Sequence, residues 1–221
     1  MGMESAGYSG DEAGIEWSAG ASPPRTGDSF EVRPPQIVPE AAPLVDEVTG
    51  FIAGYRYYSG GFWMIWDLEG NLVETGELPL EAPLIDPIDL LSGGLTALLR
   101  GLGGGVLRGV GRGVVAGAAR SGLRSLSTRT VMALHTVLRK LIQPGSLKFT
   151  VTTVERMANP GRYVPIHILH LAIRHGKQLP DPQGVLGAVK YVAPMWKNGK
   201  QYMLEVVVRA HDTTVLHFLY K

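Results

Sequence analysis

Residues 187–221 read GAVKYVAPMWKNGKQYMLEVVVRAHDTTVLHFLYK. In this stretch Asn198-Gly199 stands between two runs that alternate apolar and polar side chains, the strongest short signal for a tight hairpin. His211-Asp212 marks a second turn, so three strands are expected over 187–195, 200–210 and 213–220, as an antiparallel meander. Upstream, residues 164–175 place Ile166, Leu169 and Ile173 on one helical face and His167, His170 and Arg174 on the opposite side, with Gly176 as the stop. An extended piece, LKFTVTT (147–153), leads into the turn Asn159-Pro160-Gly161. The expected fold class is α+β, a helix packed on one face of a three- or four-stranded antiparallel sheet whose other face stays open.

Alternation decides what the open face displays. With Leu204, Val206, Val208, Leu216 and Phe218 under the helix, Glu205, Arg209 and His217 point the other way, and Lys190 joins them. Metal-free RNA cleavage needs a base for the 2′-hydroxyl, an acid for the 5′-oxygen and positive charge at the phosphorane-like transition state. Glu205, His217 and the pair Arg209/Lys190 match those roles in that order. The same residues also read as a cross-strand ion pair and a solvated strand histidine, which any exposed sheet face accommodates. His167, His170 and His175 form a rival centre on the helix, with His167 first among them, or else a solvated polar face. Arg174, Lys177, His170, Lys190 and Tyr220 are the expected nucleic-acid contacts; Asp181, Thr153 and Tyr191 are further contributors that the sequence does not rank. His167 and His170 alone lack a third ligand for zinc, so neither metal nor cofactor is expected.

The charge distribution points to an anionic partner. Residues 1–90 hold 16 Asp/Glu against 3 Lys/Arg, a charge of −13, whereas residues 91–221 hold 4 against 18, a charge of +14. The last 76 residues alone carry +6. Such asymmetry suggests an acidic leader joined to a module that meets nucleic acid. The absence of cysteine in the sequence excludes disulfides, thiolate nucleophiles and Cys-based metal sites. No GxxxxGK[ST] loop, HExxH or GxSxG elbow occurs, which disfavours nucleotide-dependent and serine-hydrolase chemistry.

Four segments are expected along the chain. Residues 1–47, rich in Gly, Ser, Pro and acids and without apolar period, read as a disordered acidic leader. Their start, MGMESAGYSGDEAG, offers no basic n-region or apolar run, so export without a signal peptide is expected. Residues 48–90 crowd aromatic side chains, and Phe62–Asp67 with Asn71–Glu77 flank a turn at Leu68-Glu69-Gly70. This β-hairpin reads as a packing unit or as a docking surface for a secretion carrier or chaperone. Residues 91–145 begin with a Gly/Arg-rich apolar stretch in which five arginines interrupt eleven glycines over 91–124. It reads as a connector or as a conditional membrane-active segment, and not as a stable transmembrane span. A helix over 127–143 follows, capped by Ser127 or Thr128 and stopped by Pro144-Gly145. Residues 146–221 complete the chain as the functional module.

The run GGFWMIWDLEGNLVETGELPLEAPLIDPIDLLSGGLTALLRGL (60–102) resembles the pre-toxin region of bacterial polymorphic toxins. The final stretch, from RYVPIHILHLAIRHG (162–176) through the meander, is similar in architecture to the barnase, EndoU, colicin and RelE group of small toxin ribonucleases. The resemblance implies a modular effector delivered into rival bacteria, with type VI secretion as one route, acting in the target cytoplasm against RNA and countered by a cognate immunity protein. Barnase-like members use a strand Glu, basic phosphate stabilisers and a late His, the order in which Glu205, Arg209 and His217 stand. RelE-like members use basic residues and a tyrosine, which would move the weight to Lys190, Arg209 and Tyr220.

Overall fold

The computed structural model describes residues 7–16, 27–77, 123, 126–143 and 145–221. In chain order the elements are β1 (Ile15–Glu16), β2 (Phe30–Glu31), β3 (Ala42–Val45), β4 (Ile52–Ser59), β5 (Phe62–Asp67), β6 (Leu72–Glu77), α1 (Thr128–Ile142), β7 (Lys148–Phe149), α2 (Val151–Ala158), α3 (Ile166–His175), β8 (Lys177–Pro180), β9 (Ala188–Lys197), β10 (Lys200–Arg209) and β11 (Thr214–Tyr220). The fold is α+β, with two sheets and three helices among the described residues.

The C-terminal meander forms as its turns dictate. Asn198 and Gly199 both take left-handed backbone angles, φ 53° and 78°, which a two-residue hairpin turn demands, and Lys197 pairs with Lys200 across it. Strands β9, β10 and β11 are the centre of a larger sheet than expected: its order is β1-β7-β11-β10-β9-β2, with β8 also paired to β9. The β11–β7 pair is parallel, so this seven-stranded sheet is mixed. The three- or four-stranded antiparallel sheet is thereby corrected, because two-residue strands too short to be read from periodicity extend both edges.

The aromatic segment is likewise more than a hairpin. Strands β4 and β5 pair from Gly54↔Asp67 to Ser59↔Phe62, and β3 and β6 flank them in a four-stranded antiparallel sheet. Asp67 ties the turn before β6 by accepting from the backbone N–H groups of Glu69 and Asn71, each at 2.9 Å. Residues 27–47, expected to be disordered, are built into the molecule: Val32, Ile37, Ala41 and Leu44 are buried. Prolines and polar residues space these apolar side chains irregularly, so neither strand nor helix period reveals them. Residues 78–90 and, apart from the buried Leu123, the Gly/Arg-rich stretch 91–124 fall outside the described residues.

Helix α1 begins where expected, with the Ser127 hydroxyl accepting from the Thr130 N–H. The extended reading of 147–153 is corrected after Phe149. Thr150 caps α2 by accepting from the Thr153 N–H, and the Thr153 hydroxyl donates to the carbonyls of Thr150 and Val215. Tertiary anchoring thus overrides the β-branched composition of VTTV. Helix α3 is also not half-exposed, since Ile166, His167, Ile168, Leu169, Leu171 and Ala172 are all buried. It packs against β9 and β10 on one side and α1 on the other, so that Arg174 near its C-terminal end is its exposed residue. One continuous apolar core, reaching from Phe30 through Leu134 and Leu169 to Phe218, joins both sheets and the helices.

Candidate functional site

The pairing of β10 with β11 sets which side chains share a face. Val206 faces Phe218 and Leu204 faces Tyr220, on the side of the core, while Glu205 opposite Leu219 and Val207 opposite His217 lie on the reverse side. Between Val207 and Val208 the register shifts, so that Leu216 is an extra residue on β11. The expected place of Leu216 beneath α3 is therefore corrected; it is buried, but outside the continuous core. Lys190 sits opposite Val207 on β9. The reverse face thus brings Lys190, Glu205 and His217 together, as alternation predicts.

Distances give that face its chemistry. Glu205 receives Lys221 Nζ at 2.6 Å on one carboxylate oxygen and Lys190 Nζ at 3.4 Å on the other. The hydrogen bond from Lys221, with the charge of Lys190 behind it, outweighs partial burial and holds the carboxyl below its ordinary range. Arg156 of α2 reaches over the edge of β11, donating to the Phe218 carbonyl at 2.8 Å and standing 3.5 Å from His217 Nε2. His217 is only 8% exposed. Burial first and the Arg156 charge second push its pKa down to about 4, against the opposing pull of Glu205 and Asp181.

The face is not open. Residues 7–14 run across it: the Tyr8 ring stacks on His217 with centroids 5.5 Å apart, and its hydroxyl donates to Asp181. Gly10 offers its carbonyl to Arg209, and β1 pairs with β7 just beyond. Arg209 is committed elsewhere. Its guanidinium grips both oxygens of Asp212, at 3.1 and 2.8 Å, and reaches Thr214. Arg209 therefore fixes the β10–β11 turn and the crossing segment, rather than facing His217.

The helix residues lie apart from this cluster. His167 is buried against the Phe51 ring, centroids 4.3 Å apart, and its Nδ1 has no hydrogen-bond partner. It borders a cleft of about 560 Å³ shared with Phe30, Phe51 and Trp196. Burial, with the neighbouring His170 behind it, lowers its pKa to about 3. The solvated polar face expected for the helix is thus corrected at His167, and His170 is bonded to the Ser146 hydroxyl at 2.8 Å. Arg174 pairs with Glu69 of the other sheet at 2.7 Å, while Lys177 is exposed on β8. Tyr220 points to the opposite side of the sheet from His217, donating to the Gly161 carbonyl and accepting from Lys197. Among the described residues no group of three or more His, Asp or Glu is placed to share a metal ion, and no helix is long and apolar enough to cross a membrane.

Arg156, Lys221 and Tyr8 are members of the cluster that sequence reasoning missed. Arg156 was missed because the extended reading of 147–153 left no helix to carry it, although Thr150 with Thr153 is a usable capping signal. Tyr8 left no signal, because contacts between distant segments have no period. No protein-family model, curated protein sequence or solved structure matches the chain.

Proposed function

We propose that the chain is an antibacterial effector whose C-terminal sheet carries a metal-independent endoribonuclease site. The observation that supports this reading is the gathering of a carboxylate, an imidazole and three cations, namely Glu205, His217, Lys190, Lys221 and Arg156, on one sheet face. Glu205, ionised at neutral pH, takes the proton of the ribose 2′-hydroxyl as that oxygen attacks phosphorus. The bond to the 5′-oxygen breaks, and His217, which is neutral at pH 7 in the resting structure and must first gain a proton, supplies that proton to the leaving oxygen, giving a 2′,3′-cyclic phosphate and a 5′-hydroxyl. Arg156 and the two lysines stabilise the charge gathering on the phosphoryl oxygens. Arg209 braces the β10–β11 turn and takes no part in the transfer itself.

On this reading the protein is delivered from a bacterial donor through a secretion carrier or chaperone and acts on RNA in the target cytoplasm. Its immunity protein presents an acidic surface to the basic site. Because phosphate contacts release counterions, cleavage weakens with salt. The test is incubation of the full chain with total bacterial RNA in EDTA, followed on a denaturing gel, beside His217→Ala, Glu205→Gln and His167→Ala. Cleavage that is lost in the first two variants and kept by a folded His167→Ala protein supports the sheet site. RNA bound but left intact by the uncovered protein described below overturns catalysis in favour of a binding module.

A further inference from the structure

Residues 7–14 touch the reverse face in a manner that describes a ligand. Tyr8 lays an aromatic ring on His217, the planes inclined by 29°. Its hydroxyl donates to Asp181 Oδ1 and its backbone N–H to Gln183 Oε1 at 3.3 Å, so the loop after β8 meets the segment with two acceptors. Asp181 is itself oriented, since its second oxygen accepts from the Val185 N–H at 2.8 Å. Three residues on, the Asp11 carboxylate acts electrostatically on Arg209. A flat ring with an outward N–H or O–H donor, followed by a negative charge, is the pattern a nucleotide presents.

The seat is close-fitting. A Cβ on Gly10 would come within 2.4 Å of Val185 Cγ1, and one on Gly14 within 2.5 Å of Thr214 Oγ1, so a larger residue at either place requires those side chains to shift. Yet few contacts hold this segment down: one stacked ring, three hydrogen bonds among those named and a two-residue strand. Segments held by so few contacts open at low free-energy cost compared with the core.

We propose that the slot between His217 and the Asp181–Gln183 loop is a nucleobase-stacking subsite, and that Tyr8 fills it in the resting chain. The subsite takes a base whose edge carries N–H donors, stacked on the imidazole and bonded to Asp181, with its phosphate on the side where Asp11 acts on Arg209 in the resting chain. This rests on the ribonuclease reading for its substrate class. Release of Tyr8 also lifts the burial that keeps His217 neutral, so uncovering the slot and arming the acid are one event.

The test compares full-length chain with Tyr8→Ala, both shown to be folded by circular dichroism, using the four nucleoside 3′-monophosphates and inorganic phosphate as probes. Binding is followed through the His217 ring resonances. The variant is expected to bind at least one mononucleotide about tenfold or more tighter than the intact chain, because the internal competitor is gone. A second change, Asp181→Asn, is expected to reverse that gain, and phosphate alone should show none. Equal affinity in the two proteins, an indifferent His217 signal or an equal gain with phosphate overturns the subsite. RNA cleavage is scored separately: nucleotide binding without cleavage keeps the subsite and sinks the enzyme, while cleavage with equal affinities does the reverse.

Discussion

The guanidinium of Arg156 stands 3.5 Å from Nε2 of His217 while donating to the carbonyl of the next residue, Phe218, at 2.8 Å. This places a permanent positive charge beside the one imidazole of the reverse face. Arg156→Gln is therefore expected to raise the titration midpoint of His217 from about 4, since the arginine charge is one of the causes that depress it. If Arg156 also meets the transferring phosphoryl group, cleavage falls by roughly 10²-fold or more, the usual loss for one preorganised charge contact. The check is a pH titration of the imidazole resonances run beside the RNA assay. An unmoved midpoint would show that the two groups are not coupled.

The meander and its face were legible because period-two alternation and an Asn-Gly turn are local signals. Leu204, Val206 and Phe218 could be assigned inward, and Glu205, His217 and Lys190 outward, without any other element. What was not legible was what covers that face. Tyr8 arrives from a segment whose composition says leader and Arg156 from the stretch after an expected extended piece, and their positions follow only from tertiary contacts. The burial of His167 escaped for a related reason: a helix reads as amphipathic until a second layer, here Phe51, closes over its polar side.

Acid should destabilise the protein through its buried histidines before it does so through its carboxylates. His167, His170 and His217 are held to about 3, 4 and 4 by burial, against an ordinary value of 6.5. Between those values the unfolded chain binds protons that the folded chain refuses, so stability is full above about pH 6.5 and declines as the pH falls toward 4. The slope from His167, the most deeply buried, approaches about 1.4 kcal/mol per pH unit, and the others contribute less. Urea unfolding at pH 7.0 and 5.0 measures this. Replacing His167 with Asn, in a protein that folds, should flatten the dependence; an unchanged slope would place the proton uptake elsewhere.

Asp212 and Arg209 predict a separation of stability from activity. Both carboxylate oxygens of Asp212 are engaged by Arg209, and the Thr214 hydroxyl and N–H donate to them at 2.8 and 3.2 Å. Arg209, foremost among these partners, holds the Asp212 carboxyl well below its usual range. Asp212→Asn should cost about 1–3 kcal/mol by leaving a largely buried guanidinium short of its acceptor. Because Arg209 braces the turn instead of facing His217, kcat on RNA should change little at temperatures where the variant is folded. A drop in kcat as large as that of His217→Ala, with stability intact, would return Arg209 to the reacting group.

Leu134 decides whether the two sheets behave as one body. It is fully buried on α1, and a Cβ added to Gly54 of β4 would lie 2.8 Å from its Cδ2 and 2.5 Å from the Trp66 carbonyl. The helix therefore seats on the four-stranded sheet at a point where glycine alone fits, while α1 also packs on α3 and so reaches the seven-stranded sheet. Leu134→Ala should cost about 2–5 kcal/mol through the cavity it opens, and Gly54→Ala about 1–3 kcal/mol through overpacking. With a shared core, each loss appears in a single cooperative transition. Trp63 and Trp66 report on one sheet and Trp196 on the other, so Trp→Phe variants separate the two signals. Coincident urea midpoints that shift together are the expected result. Two midpoints, with Leu134→Ala moving only that of Trp63 and Trp66, would mean that the aromatic sheet folds apart from the sheet that carries His217.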